Sequence, residues 1–353
     1  MNNHSLFSRL DKINQPVVSL NKIQSNALEK FRYKVDQNIY ELEEVPCLCH
    51  KNNSLLISQI DRYGLFVNTH LCKECGIMWT SPRLKEQSLE KFYNEDYRPI
   101  YVGSPQSPDD FFQEQVIRGN QIYEFVISEF DNKKNLTVFD IGCGAGGILI
   151  PFKDNGFLTY GCDIGSEYLK KGREENLILE HGNENSLKKY QKANLIILSH
   201  VLEHFPNPSK TLRSISDLLE TDGYIYIELP GILKIRETYG DIILFLQNAH
   251  LYHFTLKTLT SLMNKEGFKL VKGNEYICAL YQKQNDIQLD LINHNQFFKI
   301  LVYLYLIEFD RFLPVLTLIR KIKLSIIKLI KNLAGKKLTS LLKQKFQYNV
   351  WRQ

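Results

Sequence analysis

The sequence predicts an α/β fold with a doubly wound, mostly parallel sheet. Apolar strand-like runs alternate with helix-like segments from residue 136 onwards, which is typical of βαβ units packed around a parallel sheet. The first of these runs ends in "VFDIGCGAGG" (138–147), where four glycines within six positions let the backbone approach something bulky. The last two runs are separated by only a short turn, which predicts an antiparallel strand at the end of the sheet.

Seven strands follow from these patterns in order along the chain. They are predicted at 136–141, 158–164, 177–182, 193–199, 223–230, 268–273 and 276–283. Helices are predicted at 111–130, 146–155, 166–176, 207–220 and 255–267. Asn207 before Pro208 is a typical helix start, since asparagine caps the first turn and proline fits its first position.

Composition and length bound the remaining organisation. The chain has 353 residues with ordinary hydrophobic (44%) and charged (24%) contents, enough for a large domain with appendages. No secretory signal is recognisable, and the longest apolar run (300–307) is too short to span a bilayer, so we expect a cytoplasmic protein. We divide it into an extension (1–40), a cysteine module with an aromatic connector (41–104), an α/β domain (105–285) and a helical tail (286–353).

The positive charge is concentrated at the C-terminal end. From Arg311 onwards there are eleven Lys and Arg and no Asp or Glu, which leaves the rest of the chain at −6, since the net charge is +5. Apolar residues recur three and four apart within 296–345, which predicts an amphipathic helix with a cationic face. That face suits peripheral contact with an anionic membrane; packing on the body or on a second copy explains the pattern equally well.

Four of the seven cysteines cluster before the glycine loop. Cys47, Cys49, Cys72 and Cys75 form two pairs, and Cys72-Lys-Glu-Cys75-Gly is typical of a zinc knuckle. We predict a structural Zn²⁺ held by four thiolates. Because Cys47 and Cys49 are separated by one residue only, His50 is an alternative second ligand; free buried cysteines are the simplest alternative.

The acids around the glycine loop discriminate between cofactors. Gly142, Gly144 and Gly147 match the dinucleotide fingerprint, and Asp163 follows 21 residues after Gly142, where a ribose could bind. Asp140, however, precedes the first glycine and would repel a pyrophosphate, whereas a cationic cofactor tolerates it.

The segments "VFDIGCGAGG", "GCDIG", "HGNENSL", "SHVLEHFPNP" and "GYIYIELPG" occur in the order found in class I S-adenosylmethionine-dependent methyltransferases. Roughly residues 111–283 resemble that family. The resemblance implies a Rossmann-like seven-stranded sheet, S-adenosyl-L-methionine as cofactor and transfer of its methyl group to an acceptor.

The resemblance also implies roles for individual residues. Asp140, Gly142, Gly144 and Gly146 would cradle the methionine and sugar parts of the cofactor, and Asp163 would bind the ribose hydroxyls. The remaining positions implied by the resemblance are Asn183 at the adenine and Ser199 and His200 along the cofactor's edge.

Candidate proton acceptors lie in two segments. "VLEHF" contributes Glu203 and His204, and "NAHLYHFT" contributes His250 and His253. Histidine suits general base work because its unperturbed pKa lies near neutrality. A purely structural role is the alternative for His204, and more so for Glu203.

The cysteine module with "GIMWTSPR" and "FYNEDYR" resembles the N-terminal zinc module of a subset of these methyltransferases, frequent in bacterial pathways for surface polysaccharides and modified sugars. In that module an aromatic segment, here Tyr93, Tyr97 and Arg98, packs over the cofactor. The resemblance implies a small-molecule or glycan acceptor. A nucleic-acid methyltransferase or binder is a competing hypothesis that the acidic body disfavours, and a non-catalytic scaffold is another that the retained Asp140 and Asp163 disfavour. The sequence does not predict the oligomeric state.

Overall fold

The computed structural model describes residues 4–11, 15–103, 109–130, 136–284 and 294–312. Within these residues the strands form a seven-stranded, a four-stranded and a two-stranded sheet. Short 3-10 helices lie at Ser8–Leu10, Ile127–Phe130, Gly147–Leu149, Glu184–Leu187, Leu202–His204 and Ile232–Lys234.

The N-terminal part consists of short strands and three helices. The strands are β1 (Leu42–Glu43), β2 (Ser54–Ile60), β3 (Phe66–Cys72), β4 (Met78–Thr80) and β5 (Arg83–Leu84). The helices are α1 (Lys22–Asp36), α2 (Glu86–Glu95) and α3 (Tyr97–Tyr101). Helix α1 begins where it does because Asn21 and Gln24 form a capping box, in which each side chain accepts from the other's backbone N–H.

The later elements form the α/β part and the tail. The strands are β6 (Thr137–Ile141), β7 (Leu158–Asp163), β8 (Ile178–His181), β9 (Ala193–Ser199), β10 (Leu219–Glu228), β11 (Tyr252–His253), β12 (Phe268–Gly273) and β13 (Cys278–Lys283). The helices are α4 (Asp109–Val126), α5 (Ile150–Asp154), α6 (Ser166–Glu174), α7 (Pro208–Asp217), α8 (Ile235–Thr238), α9 (Ile242–Phe245), α10 (Leu256–Lys265) and α11 (His294–Asp310).

The seven-stranded sheet confirms the predicted fold class. Its strand order is β12-β13-β10-β9-β6-β7-β8, and β13 runs antiparallel to both of its neighbours while β6 to β10 pair in parallel. All five residues of β6 are buried, as expected for a central parallel strand covered on both faces. The carboxyl ends of β6, β7, β8 and β9 therefore meet at one edge, where the acids predicted for the cofactor lie.

One predicted helix is shorter than expected. The segment predicted at 146–155 is a 3-10 turn followed by α5, and it lies between two left-handed glycines, Gly146 (φ 81°) and Gly156 (φ 81°). A left-handed backbone is unfavourable for a continuing right-handed helix, so these positions fix its ends.

The four-stranded sheet joins the two parts of the chain. Its order is β11-β4-β3-β2, and β11 pairs antiparallel with β4, with Tyr252 opposite Trp79 and His253 opposite Met78. The N-terminal module, predicted to end at 104, is thus completed by a strand from the α/β part.

Helix α11 differs from the predicted amphipathic helix. It packs one apolar face on the body but exposes a second apolar face to solvent, because the run "ILVYLYLI" places large apolar residues on both sides of the helix. The basic stretch after Phe312 lies outside the described residues. In the part of the chain that the structure describes, each helix is too short or too polar to be a membrane span.

Candidate functional site

The glycine loop after β6 forms a narrow cradle. Gly142, Gly144 and Gly146 have φ angles of 73°, 57° and 81°, which only glycine adopts readily. A Cβ at Gly142 would lie 2.6 Å from the Cγ2 atom of Val201, in the segment after β9. The loop therefore needs glycine there both for its backbone angle and for its close approach to the neighbouring loop.

The carboxyl group of Asp140 lies buried beneath this loop and is incompletely hydrogen-bonded within the described residues. Its side chain is 1% exposed, and in the described part of the chain its Oδ2 atom has no hydrogen-bond partner. Burial, and secondarily the charge of Asp163, raise the pKa of the Asp140 carboxyl well above its usual range. A buried acceptor without a donor costs free energy, so this oxygen is suited to a cationic or N–H-bearing ligand.

Asp163 ends β7 and is already oriented by the backbone. Its Oδ2 accepts from the N–H of Gly144 at 2.8 Å, and its Oδ1 accepts from the N–H of Gly165 at 2.7 Å. The two carboxylates predicted for the cofactor thus lie on adjacent strands at the same edge of the sheet.

Helix α3 covers this edge from the N-terminal part. The Arg98 guanidinium lies 3.7 Å from Asp163 Oδ2 and stacks 3.9 Å over the ring of Tyr168. The Tyr97 ring lies 5.9 Å from that of His204, and burial raises the pKa of Tyr97 to about 12. Tyr97 therefore lies between the predicted cofactor acid and the candidate bases.

Three further predicted cofactor residues occupy the same edge. Ser199 Oγ is 3.5 Å from Glu228 Oε2, and His200 has a left-handed backbone (φ 58°) with its N–H donating to the Glu228 carbonyl. Asn183 is exposed after β8, and its Oδ1 accepts from the N–H of Asn185 at 3.1 Å. Ser199 and His200 lie at the end of β9, whereas Asn183 is engaged within its own loop.

The candidate bases form a continuous row of rings, which we call the histidine row: His204, His250 and His253. Ring centroids lie 4.9 Å apart between His204 and His250, and 5.8 Å between His250 and His253. Nδ1 of His204 donates to the carbonyl of Ala249 at 2.8 Å, which directs its Nε2 the other way. The sequence-predicted residues 204, 250 and 253, distant along the chain, are thus brought together.

Glu203 lies at the centre of this group. It is 1% exposed, and its Oε1 is 3.7 Å from His250 Nε2 and 3.5 Å from His200 Nδ1. The ligand atoms of Glu203, His204 and His250 lie within 4.8 Å of one another. A buried carboxylate among imidazoles can stabilise an imidazolium, which is the arrangement that a proton-accepting histidine needs.

His253 is the most deeply placed of the row. Burial, with a smaller contribution from His204, lowers its pKa to about 3, and its ring centroid lies 4.8 Å from that of Phe245 with the two rings tilted by 42°. It is therefore neutral at neutral pH and a weak proton acceptor.

The N-terminal module holds the segment that carries the histidine row. Thr80 Oγ1 donates to the His250 carbonyl at 3.1 Å, and the Thr80 N–H donates to the Leu251 carbonyl at 3.0 Å. From the turn after β2, Asp61 Oδ2 accepts from the N–H of Asn248 at 2.8 Å. Burial raises the pKa of Asp61 to about 6, although its backbone hydrogen bonds oppose the shift. The module fixes the backbone before and after His250.

The four predicted zinc ligands converge. Sulfur atoms of Cys47, Cys49, Cys72 and Cys75 lie within 4.8 Å of one another, at 3.4 Å for Cys47–Cys75 and 3.5 Å for Cys49–Cys72. A disulfide needs about 2.05 Å. Zn–S bonds of about 2.3 Å in a tetrahedron place sulfurs about 3.8 Å apart, so these residues fit a zinc ion. His50 is exposed, whereas the sulfur of Cys49 lies within the cluster, and four thiolates remain the predicted ligand set.

Two residues at the site were not predicted from the sequence. Gln115 of α4 donates to the Cys143 carbonyl at 2.9 Å and accepts from the N–H of Gly147, so it supports the glycine loop. Arg118, one turn later, contacts the carboxylate of Glu228. Helical spacing predicts α4, but the sequence contains no signal for which residues of that helix meet the loop.

Comparison with known proteins agrees with this geometry. Residues 112–272 match the model of a family described as "Methyltransferase domain". The match covers slightly less than half of the chain. The matched residues have the α/β fold of class I S-adenosylmethionine-dependent methyltransferases, with the sheet order and glycine loop described above.

Curated relatives of the domain are ubiquinone biosynthesis O-methyltransferases. The protein from Vibrio vulnificus (strain YJ016) is 27% identical over 115 residues, covering 29% of this chain and 47% of the relative. The protein from Glaesserella parasuis serovar 5 is 30% identical over 165 residues, covering 41% and 64%. The chain thus spans about half to two thirds of the length of these relatives.

Among solved structures, the Burkholderia thailandensis 1,6-didemethyltoxoflavin-N1-methyltransferase with bound S-adenosylhomocysteine is similar at a TM-score of 0.43 and 16% identity. The match covers 59% of this chain and 96% of that one. A likeness at this level carries no information about the acceptor.

Proposed function

We propose that the chain is an S-adenosylmethionine-dependent methyltransferase acting on a small molecule. The observation that carries the proposal is the pair Asp140 and Asp163, buried on adjacent strands beside a glycine cradle. The Oδ2 atom of Asp140 has no hydrogen-bond donor in the described residues. The ammonium group of a bound cofactor, directly or through an ordered water, would donate to it. The sulfonium of the cofactor supplies an already activated methyl group.

The residues of this chain have three tasks in such a reaction. Gly142, Gly144 and Gly146 let the cofactor approach the backbone, and Asp163 accepts from its ribose hydroxyls. Tyr97 and Arg98, on helix α3 over this edge of the sheet, would exclude water from the cofactor. Alignment of the acceptor and exclusion of water account for most of the catalysis that a methyl transfer needs.

The histidine row is the proposed proton acceptor. His204 and His250 lie beside buried Glu203, which would stabilise either ring once protonated. His253, whose pKa is lowered to about 3, is better suited to shape the acceptor site than to take up a proton. An acceptor hydroxyl is favoured over an already nucleophilic amine, because only the hydroxyl needs such a base.

A saccharide or glycan intermediate is our proposal for the acceptor class. It rests on the resemblance of the cysteine module to that of sugar-pathway methyltransferases, while the curated relatives are named for ubiquinone biosynthesis and support the small-molecule class only. A structural Zn²⁺ at the four cysteines belongs to the same proposal, supported by the sulfur distances.

Titration calorimetry tests the cofactor assignment directly. We expect S-adenosylmethionine and S-adenosylhomocysteine to bind with micromolar affinity and NADH not to bind. Asp163→Ala should weaken binding of both adenosyl compounds by about 10- to 100-fold, as loss of hydrogen bonds to a charged group predicts. NADH binding, or unchanged affinity in that variant, would contradict the proposal.

Release of S-adenosylhomocysteine tests the acceptor class. A coupled assay would compare sugar nucleotides with phenolic acceptors of similar size. His250→Gln and His204→Gln should lower kcat by about 10²- to 10⁴-fold if these residues accept the proton. Unchanged cofactor affinity in the same variants separates this role from a loss of folding.

A further inference from the structure

Helix α11 is firmly packed on the body through one face. Four of its side chains are buried in a core cluster with residues of α8 and α9: Phe297, Ile300, Leu304 and Ile307. Polar contacts fix its C-terminal half, since Arg9 donates to Glu308 at 2.7 Å and Arg236 donates to Asp310 at 2.6 Å. The helix therefore cannot rotate to bury its other side.

That other side is apolar and exposed. Its large side chains are between 49% and 63% exposed and fall within an arc of about 100° at 100° per residue. We call this surface the apolar face of α11; its residues are Phe298, Val302, Tyr305, Leu306 and Phe309, and the exposed Phe312 follows in the turn after the helix. A contiguous apolar surface with several aromatic residues normally marks an interaction site.

We propose that the apolar face of α11 docks the protein onto an anionic lipid bilayer. Amphipathic helices that lie in a membrane surface combine an inserted aromatic face with neighbouring cationic residues. Here the chain continues from the apolar face directly into a segment with eleven Lys and Arg from Arg311 and no acidic residue. Each such residue is attracted to anionic headgroups.

Charge distinguishes a bilayer from a second copy of the chain. Two copies joined through this face would each carry a segment with eleven Lys and Arg and no acidic residue, and like charge on both copies opposes association. An anionic bilayer is complementary to both features, since it accepts aromatic side chains and attracts the cationic segment.

The helix that carries this face also contacts the segment of the histidine row. At the start of α11, Gln296 Oε1 accepts from the hydroxyl of Thr255 at 3.3 Å, two residues after His253. The docking proposal itself does not depend on methyl transfer.

Vesicle sedimentation with the full-length, zinc-loaded chain tests the proposal. The probes are phosphatidylcholine vesicles with and without 30% phosphatidylglycerol. We expect binding to the anionic vesicles and at least about tenfold weaker binding for the double variant Phe298→Ser, Phe309→Ser, because two aromatic rings lose burial. The matched control is Phe66→Ser, Ile178→Ser, which removes two side chains of similar exposure (53% and 49%) elsewhere and should bind as wild type.

A second readout does not depend on loss of binding. Phe309→Trp should gain blue-shifted emission on adding anionic vesicles, relative to the wild type with its native tryptophans. Circular dichroism and cofactor affinity show that the variants are folded.

Three results would overturn the proposal. One is no binding of the wild type to anionic vesicles. Another is unchanged binding of the Phe298, Phe309 double variant, which would leave the basic segment alone responsible. The third is a stable dimer by light scattering that dissociates in the double variant, which would make the face an interface between copies.

Discussion

Thr80 donates a hydrogen bond to the backbone carbonyl of His250 at 3.1 Å, across 170 positions of sequence. Thr80 ends the strand that follows the cysteine knuckle, and His250 belongs to the histidine row. Through this contact the N-terminal module takes part in shaping the candidate active site.

Thr80→Val should act on catalysis more than on cofactor binding. The variant keeps the volume but leaves the His250 carbonyl without this donor, which costs about 1–3 kcal/mol for a buried group. We expect kcat to fall while affinity for S-adenosylmethionine, measured by calorimetry, stays within about twofold. Thr80→Ser, which retains the hydroxyl, should restore kcat; equal losses in both variants would contradict a positioning role.

Loss of metal from the cysteine cluster should lower the stability of the folded chain. Cys72→Ser is expected to lower the bound zinc, measured by atomic absorption, and to lower the free energy of unfolding by roughly 3 kcal/mol or more. Cys278→Ser, a buried cysteine outside the cluster, serves as the control and should keep its zinc. A zinc-free wild type with unchanged stability would count against a structural metal.

Alanine variants of two left-handed glycines separate the cost of backbone strain from the cost of a steric clash. Gly142 and Gly156 have φ values of 73° and 81°, but a Cβ would meet Val201 at 2.6 Å in the first and nothing within 4 Å in the second. Gly156→Ala should lower the free energy of unfolding by about 1–2 kcal/mol, because alanine is strained in a left-handed backbone. Gly142→Ala should cost about 1–3 kcal/mol more and weaken cofactor binding, as measured by chemical denaturation and calorimetry. Equal effects would argue against a tight cradle.

Cofactor affinity should depend on pH through Asp140. Burial raises the pKa of this carboxyl in the free protein, whereas a bound cation favours the ionised form. Below the raised pKa, binding must displace a proton, so affinity should fall as pH is lowered, by at most about tenfold per pH unit. Calorimetry in buffers of different ionisation enthalpy would count that proton. Asp140→Asn should abolish this dependence; a profile unchanged in the variant would assign it to another group.

The free energy of unfolding should decrease at acidic pH because His253 is buried in its neutral form. Burial lowers its pKa from 6.5 to about 3, so the unfolded chain binds a proton in this interval and the folded protein does not. The free energy of unfolding therefore contains the full contribution of neutral His253 above pH 6.5. This contribution decreases as the pH falls towards 3, by up to about 1.4 kcal/mol per pH unit. Urea unfolding at several pH values should show a shallower decline for His253→Gln. An identical slope in the variant would mean that other groups govern acid unfolding.

Sequence reasoning predicts the features that depend on neighbouring residues. The strands of the seven-stranded sheet, the Asn207 cap of α7 and the acids after β6 and β7 all follow from local pattern, and topology then brings their ends together. The convergence of Cys47 with Cys75 follows from the knuckle spacing.

Contacts between distant segments could not be predicted in the same way. The support of the glycine loop by Gln115 and the contact of Thr80 with His250 depend on how separate elements dock. The sequence also does not predict that one apolar face of α11 is exposed, because a helix that is apolar on two sides gives the same periodicity whether one side or both are buried.

The pairing of β11 with β4 has a consequence for how such proteins can be recombined. An α/β part excised at residue 104 would carry strand β11 without its partner β4 and a loop without its Asp61 and Thr80 anchors. Exchanging cysteine modules between homologues would therefore require transplanting residues 246–255 as well, because Asn248, His250 and Leu251 bind residues of the module through their backbones.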